Sequence, residues 1–176
     1  MGFSDAQVRK DLAYFGHFGY PGIGYRCDEL IDAIRRILGT NREWPVAMVG
    51  VGNLGRALLG YRGFQQQGFR IVAAFDVDPR KIGQSSEGVE IISLERLPEV
   101  ARKNNIKLGI IAVPASAAQA AADTMVGAGF EGILNFAPVT INVPPTISSV
   151  GVDLAIQLEQ LTFSVISRTS QGEAAR

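Results

Sequence analysis

Hydrophobic positions along the chain follow two regimes that meet near residue 45. Before it, apolar residues recur at helical spacing: Val8, Leu12 and Phe15, then Leu30, Ala33, Ile34, Ile37 and Leu38. Ser4 with Gln7 three residues on has the form of a capping box opening the first helix, and Gly16 closes it. The second helix is predicted over residues 27–38, with Gly39 as its stop. Between the two, residues 17–25 are dense in aromatics, Gly and Pro, which suits a tight β-hairpin or a loop.

From Val46 onward short apolar runs alternate with amphipathic stretches. Strands are predicted over residues 46–49, 71–76, 89–92, 108–113, 133–134 and 150–152. Helices are predicted over about 53–65, 94–103, 115–126 (closed by Gly127 and Gly129) and 154–168, with Asp153 as N-cap of the last. Near-continuous apolar strands separated by helices predict an α/β segment with a parallel sheet covered on both faces. The resulting division is 1–39, a linker at 40–45, the α/β segment at 46–152, a final helix at 153–168 and a tail at 169–176.

Composition narrows the chemistry. Seventeen Lys and Arg balance seventeen Asp and Glu, so no overall basic signature marks nucleic acid or an anionic membrane as partner. A single Cys excludes an internal disulfide framework and a Cys-based zinc site, and a single His leaves little for any metal centre. No apolar run approaches a membrane span and the first ten residues lack a signal-peptide core, so the cytoplasm is the expected compartment.

The strongest local signal is Gly50-Val51-Gly52-Asn53-Leu54-Gly55, which follows a predicted strand and opens a predicted helix. Gly50 permits a tight turn, Gly52 lets a pyrophosphate approach bare backbone, and Gly55 lets helix and strand pack closely. The helix N-terminus adds free N–H groups for phosphate. Asp76 ends the next strand about 20 residues later, where a carboxylate can accept both ribose hydroxyls of an adenosine and repel a 2′-phosphate. NAD(H) is thereby favoured over NADP(H), although Arg80 and Lys81 close by weaken the exclusion. A bare structural turn with a surface Asp is the plainer alternative.

Turnover of a nicotinamide needs a proton donor beside the reacting carbon. His17 lies before the α/β segment, and Lys10, Lys81, Lys103 and Lys107 all miss the ends of the late strands. The chain also lacks length for a substrate domain of ordinary size. These features point to binding without catalysis.

The residues resemble the Rex redox-sensing transcriptional repressors, a family with a winged-helix DNA-binding domain, a Rossmann NAD(H) domain and a homodimeric assembly. The likeness rests on residues 7–12, 14–16, 22–25, 37–39, 50–55, 75–79, 133–138 and 152–154, in that order along the chain. It implies an α/β Rossmann-type parallel sheet with helices on both faces, preceded by a partial winged-helix segment and followed by a C-terminal swapped helix that makes the dimer. It implies that Gln7, Arg9 and Lys10 on the recognition helix, with Tyr20, Gly22 and Tyr25 on the wing, meet operator double-stranded DNA. It implies NADH or NAD at Gly50 to Gly55, Asp76 and Val77, with Val113, Pro114, Asn135 and Phe136 towards the nicotinamide. Tyr61, Asp153 and Leu154 match positions that couple redox state to the dimer. NADH binding is then expected to release the operator, and no membrane is involved.

Three departures from the family pattern change these expectations. The chain begins almost at the recognition helix, so operator binding is expected to need the helices that precede it in the family. Pro21 stands where the family often has a basic wing residue, and Asn53 stands where some relatives have an Arg that could pair with Asp153. Read without the resemblance, Arg9 and Lys10 suit a solvated helix face, since residues 1–45 carry six basic and six acidic side chains. Tyr61 suits a rim aromatic equally well. The alternatives are an enzyme part, either a CoA-binding Rossmann domain like that of the succinyl-CoA ligase α subunit or a small NAD-dependent reductase, and a dimerisation partner that does not bind DNA. No His follows His17 to serve the ligase's phosphohistidine chemistry.

Overall fold

The computed structural model describes residues 4–14, 16, 19–20 and 24–173. The wing position Gly22, with Phe15, His17 and Pro21, lies outside them. The chain divides into two compact units, residues 1–43 with 63–69, and residues 44–62 with 70–176.

In the first unit, helix α1 (Asp5–Tyr14) opens with the Gln7 N–H donating to Ser4 Oγ at 3.3 Å. Only half of the predicted capping box forms. The Gln7 amide donates forward to Asp11 Oδ1 at 2.8 Å, because a carboxylate one turn on is a stronger acceptor within easier reach. Strands β1 (Gly19–Tyr20) and β2 (Gly24–Tyr25) pair antiparallel, Gly19 facing Tyr25 and Tyr20 facing Gly24. Helix α2 (Cys27–Ile37) buries Ala33, and Gly39 turns the chain away at φ +68°.

The second unit starts with β3 (Trp44–Val49) and α3 (Asn53–Leu59). The helix predicted over 53–65 is interrupted. Gly60 and Tyr61 form a turn closed by the Tyr61 N–H on Leu58 O, and α4 (Arg62–Gln66) begins anew, its residues from Gly63 onward belonging to the first unit. Two glycines within four residues, Gly60 and Gly63, lower helix propensity enough to explain the break. Then follow β4 (Phe69–Asp76), a two-residue β5 (Ser85–Ser86), β6 (Val89–Ser93), a 3-10 turn (Leu94–Arg96) and α5 (Leu97–Lys103). Pro98 sits in the first turn of α5, where its missing N–H costs nothing. The remainder is β7 (Leu108–Ile111), α6 (Ala115–Gly127), β8 (Gly132–Asn135), β9 (Ser148–Gly151) and α7 (Leu154–Glu173). The last helix runs beyond residue 168, since neither Gly nor Pro stands between Asp153 and Gly172 to stop it.

The seven strands of this unit lie in the order β5-β6-β4-β3-β7-β8-β9, with the β6–β4, β3–β7, β7–β8 and β8–β9 pairs parallel and β5 antiparallel to β6. The sheet therefore runs outward in both directions from β3, and the reversal falls between β3 and β7. The register sets Val49 beside Ile111, Ile111 beside Asn135, and Asn135 beside Gly151, so these strand ends stand abreast. Val46 to Val49 are all buried, as expected for a strand covered on both faces. The main core joins Val49, Phe75, Leu97, Ile111, Phe130 and Ile133 to the alanine face of α6. A smaller cluster of Val51, Ala74 and Ile91 lies against Leu59 and Val89.

Close approach of α6 to the sheet depends on Gly109, where an added Cβ would meet Met125 Sδ at 2.7 Å. Met125→Ala is expected to cost about 2–5 kcal/mol as a fully buried deletion. Gly109→Ala is destabilising alone, but in the double variant its methyl enters the space Met125 vacated. Urea unfolding of the four proteins should give a double-variant loss smaller than the sum of the two single losses.

Candidate functional site

The glycine turn joins β3 to α3 at the carboxyl ends of the parallel strands, next to the point where strand order reverses. Crevices of this kind are where open α/β sheets take ligands. Gly50 has φ +96°, and a Cβ there would lie 2.5 Å from the Ala112 carbonyl oxygen and 2.6 Å from Val113 Cγ1. Its N–H donates to Phe75 O at 2.8 Å, tying the turn to β4. A Cβ on Gly55 would fall onto the carbonyl oxygen of Gly50. Gly52 differs from both. Its φ is −85°, it is exposed, and nothing lies within 4 Å of where its Cβ would stand. The three glycines thus serve a turn, an open cradle and a close packing. The first helical bond of α3 runs from the Arg56 N–H to Gly52 O, so the N–H groups of residues 53–55 precede the helical ladder.

Asp76 is 6% exposed and holds the turn from the other side. Its Oδ2 accepts the Val51 N–H at 2.9 Å and Lys81 Nζ at 2.8 Å, and its Oδ1 accepts the Asp78 N–H at 2.9 Å. Burial raises its pKa, but the bonds from Lys81, Asp78 and Val51 outweigh burial and hold the carboxyl below its ordinary value. Three of about four acceptor positions on this carboxylate are therefore filled within the chain. The expectation that it accepts both ribose hydroxyls is modified: one position on Oδ1 remains. Val51 contributes through its backbone, since its side chain is fully buried.

The loop after Asp76 carries a second ion pair that the sequence reading did not see. Asp78 Oδ1 accepts both the N–H and the Nε–H of Arg80 at 3.0 Å, and Oδ2 accepts from Nη2 at 2.8 Å. This fork holds the Asp78 carboxyl down at about 2. Arg80 and Lys81, expected to soften discrimination against a ribose phosphate, are each committed to a carboxylate. The spacing Asp-Pro-Arg was the available signal, because an Asp readily caps the N–H two residues on. Val77 between the two acids is 76% exposed, an apolar surface at the strand end.

On the other side of the reversal, Val113 is partly buried and Pro114 exposed, just after β7. Asn135 ends β8 almost fully buried, with its amide spent on its own loop. Nδ2 donates to Val139 O at 2.8 Å and Ala137 O at 3.3 Å, and Oδ1 accepts the Ala137 N–H at 3.0 Å. Its side chain shapes residues 135–139, and Phe136 follows partly buried. Asn135 and Asp153 do meet at one place, a cleft of about 450 Å³ bounded also by Val139, Thr140, Val150 and Ile156. Asp153 caps α7 by accepting the N–H groups of Ala155 at 2.9 Å and Ile156 at 3.2 Å. Leu154 is exposed at the first position of that helix, and Tyr61 is exposed on the α3–α4 turn. In the other unit, Arg9 and Lys10 are exposed on α1 with Gln7, while Tyr20 and Tyr25 lie on the β1–β2 ribbon. Among the described residues no cluster of His, Cys, Asp or Glu could hold a metal ion, and no helix is long and apolar enough to cross a membrane.

Residues 41–139 match the family described as CoA binding domain. The chain is similar to the redox-sensing transcriptional repressor Rex of Desulfitobacterium hafniense, 52% identical over 96% of this chain and 80% of that protein. It is similar also to redox-sensing transcriptional repressor Rex 1 of Thermotoga maritima, 43% identical over 94% of this chain and 79% of the relative. Among solved structures, RSP in complex with β-NAD+ and operator DNA superposes with a TM-score of 0.88 at 33% identity, covering 98% of this chain and 80% of that one. RSP in complex with β-NADH gives a TM-score of 0.80 at 30% identity, over 96% of this chain and 78% of that one.

Two outcomes follow from the site's geometry alone. Gly52→Ala should change unfolding free energy by less than about 1 kcal/mol, its φ and surroundings being open to a methyl group, whereas Gly55→Ala should lose at least about 2 kcal/mol to overpacking against backbone. Because the native Asp76 carboxyl is held below its ordinary 3.8, its contribution to stability is full above that pH and is lost as the pH falls through the native value. Chemical unfolding followed downward from pH 5 should therefore show a steeper loss for the native chain than for Asp76→Asn, which starts less stable.

Proposed function

The chain belongs to the Rex redox-sensing transcriptional repressors, its α/β segment being of the CoA-binding-domain family, and from that membership we propose that it reports the NADH to NAD+ balance to operator DNA. The relatives are repressors, not enzymes, and the similar solved structures hold NAD+ with operator DNA or NADH. The observation that carries the cofactor part is the open backbone at Gly52, set at the strand-order reversal between a buried acid at the end of β4 and Val113 just after β7. A dinucleotide fits that cradle with its pyrophosphate over Gly50 to Gly55 and its adenosine towards Asp76 and Val77. Val113, Pro114 and Phe136, with the loop that Asn135 shapes, would then border the nicotinamide half.

The dinucleotide supplies the signal, since the nicotinamide ring is cationic when oxidised and neutral when reduced. The protein's part is to bind the two forms with different affinity in two arrangements of a dimer, because only a differential affinity can shift such an equilibrium. We place the dimer contact on α7, whose Leu154, Ile156, Leu158, Leu161, Phe163, Val165 and Ile166 are all exposed in the single chain. Tyr61, Asp153 and Leu154 would carry the difference between subunits. Gln7, Arg9 and Lys10 on α1 would enter the operator, with the β1–β2 ribbon and Gly22 as the wing. The first unit is then the DNA-binding part, the second the sensing part, and the compartment the cytoplasm.

The test combines titration calorimetry with gel shift on a duplex that the protein itself selects from a random-sequence pool. NADH should bind without loss of its absorbance, compete with NAD+, and release the duplex, while NAD+ retains it. Gly52→Ala, still folded, should lose NADH binding by at least tenfold (about 1.4 kcal/mol). Failure to bind NADH, or displacement of bound NADH by CoA in preference to NAD+, would overturn the sensing role. Failure to select any duplex, by the chain extended at its N-terminus with the helices that precede α1 in the family, would overturn the operator role.

A further inference from the structure

Residues 76–81 place two carboxylates and two cations on one loop at the adenosine end of the crevice, Asp76 with Lys81 and Asp78 with Arg80. In dinucleotide-binding sheets of this type an Arg just beyond the acidic residue accommodates the 2′-phosphate of NADP(H). Arg80 stands in that stretch of chain, and its guanidinium is turned back on Asp78 in a two-point fork reinforced by its own backbone N–H. We propose that Asp78 is a specificity-determining residue, which withholds Arg80 from a ribose 2′-phosphate and so confines the site to the unphosphorylated dinucleotide. The inference rests on the NAD(H) reading above and deepens it.

The energetics favour the clasp over the phosphate. An incoming 2′-phosphate must draw Arg80 from Asp78, exchanging one planar two-point bond for another of similar strength. The exchange leaves the Asp78 carboxylate unpaired beside a dianion, with the Asp76 carboxylate two residues away, and like charges at that range oppose binding. Lys81 offers no substitute, since its ammonium is held by Asp76 and its side chain is only 26% exposed. Isolated surface ion pairs contribute little, but this one is two-pronged and short and shares an oxygen with a backbone donor. Beyond the fork Arg80 is open to solvent, its side chain 88% exposed, so removal of the Asp78 carboxylate leaves the guanidinium able to swing towards the ribose.

The experiment measures NADH and NADPH dissociation constants by calorimetry on the full chain, on Asp78→Ala, and on Asp78→Ala combined with Arg80→Gln. The two ligands differ only in the 2′-phosphate, so the ratio of their constants isolates it. The native ratio should favour NADH; Asp78→Ala should move the ratio towards NADPH by about tenfold or more, and the added Arg80→Gln should restore it. An unchanged ratio in Asp78→Ala, or a shift that survives Arg80→Gln, overturns the role of the clasp while leaving the dinucleotide site intact. A native chain that binds neither ligand overturns the dinucleotide reading and this inference together.

Discussion

A single buried carboxylate organises the glycine turn of the α/β unit. Asp76 ends β4, yet its oxygens reach the backbone of the turn that follows β3 and the ammonium of Lys81. Taking a carboxylate out of water is costly, and the cost is offset only when its lone pairs find donors. Here three donors do so, two of them backbone N–H groups in the segments that follow β3 and β4. The Val51 N–H can reach Asp76 only if the turn keeps the course that Gly50 imposes, which in turn sets Gly52 facing the open side. The acid is thus first a builder of the cradle and then, through one remaining acceptor position, a partner for whatever the cradle holds.

This division of labour explains what could be read in the sequence and what could not. Glycine at 50, 52 and 55 carries its meaning in the residue type, because each position excludes or admits a Cβ for a reason local to the turn. The parallel sheet was legible because strands covered on both faces must be apolar nearly throughout, as residues 46–49 and 108–111 are. The β5 strand left no such mark, being two serines held by neighbours rather than by burial. The commitment of Asn135 to its own loop was invisible for a different reason. Its partners Ala137 and Val139 are carbonyls and an N–H that any residue could supply, so no side-chain type advertises the bond. The Asp78–Arg80 clasp lay between, visible as two opposite charges two residues apart but silent about whether they meet.

Charge is economical across the site. The loop after β4 pairs each acid with a base, and the whole chain is neutral, so a dinucleotide meets backbone dipoles and glycine space rather than a cationic field. A site of that kind gains its preference from shape and from what it refuses, because an uncompensated anion finds no free partner. The pyrophosphate is the exception that helix-start N–H groups can serve without any full charge.

The remaining constraint lies at the opposite edge of the sheet. All four residues of β9 are exposed, an edge that sheets ordinarily protect from pairing with a stranger. Asp153 follows at once, and α7 leaves from it with apolar residues around its circumference, more than the one stripe a helix needs to pack on its own domain. Ile156 and Asp153 both border the cleft that Asn135 also borders, so the root of α7 and the carboxyl end of β8 share a wall. A helix of twenty residues extends about 30 Å, and a small rotation at that root becomes a displacement of several ångströms at its far end. Any ligand that alters the loop held by Asn135 therefore acts on the long arm of a lever whose apolar surface demands a cover, which gives the proposed coupling between nicotinamide and dimer a physical route through packed groups.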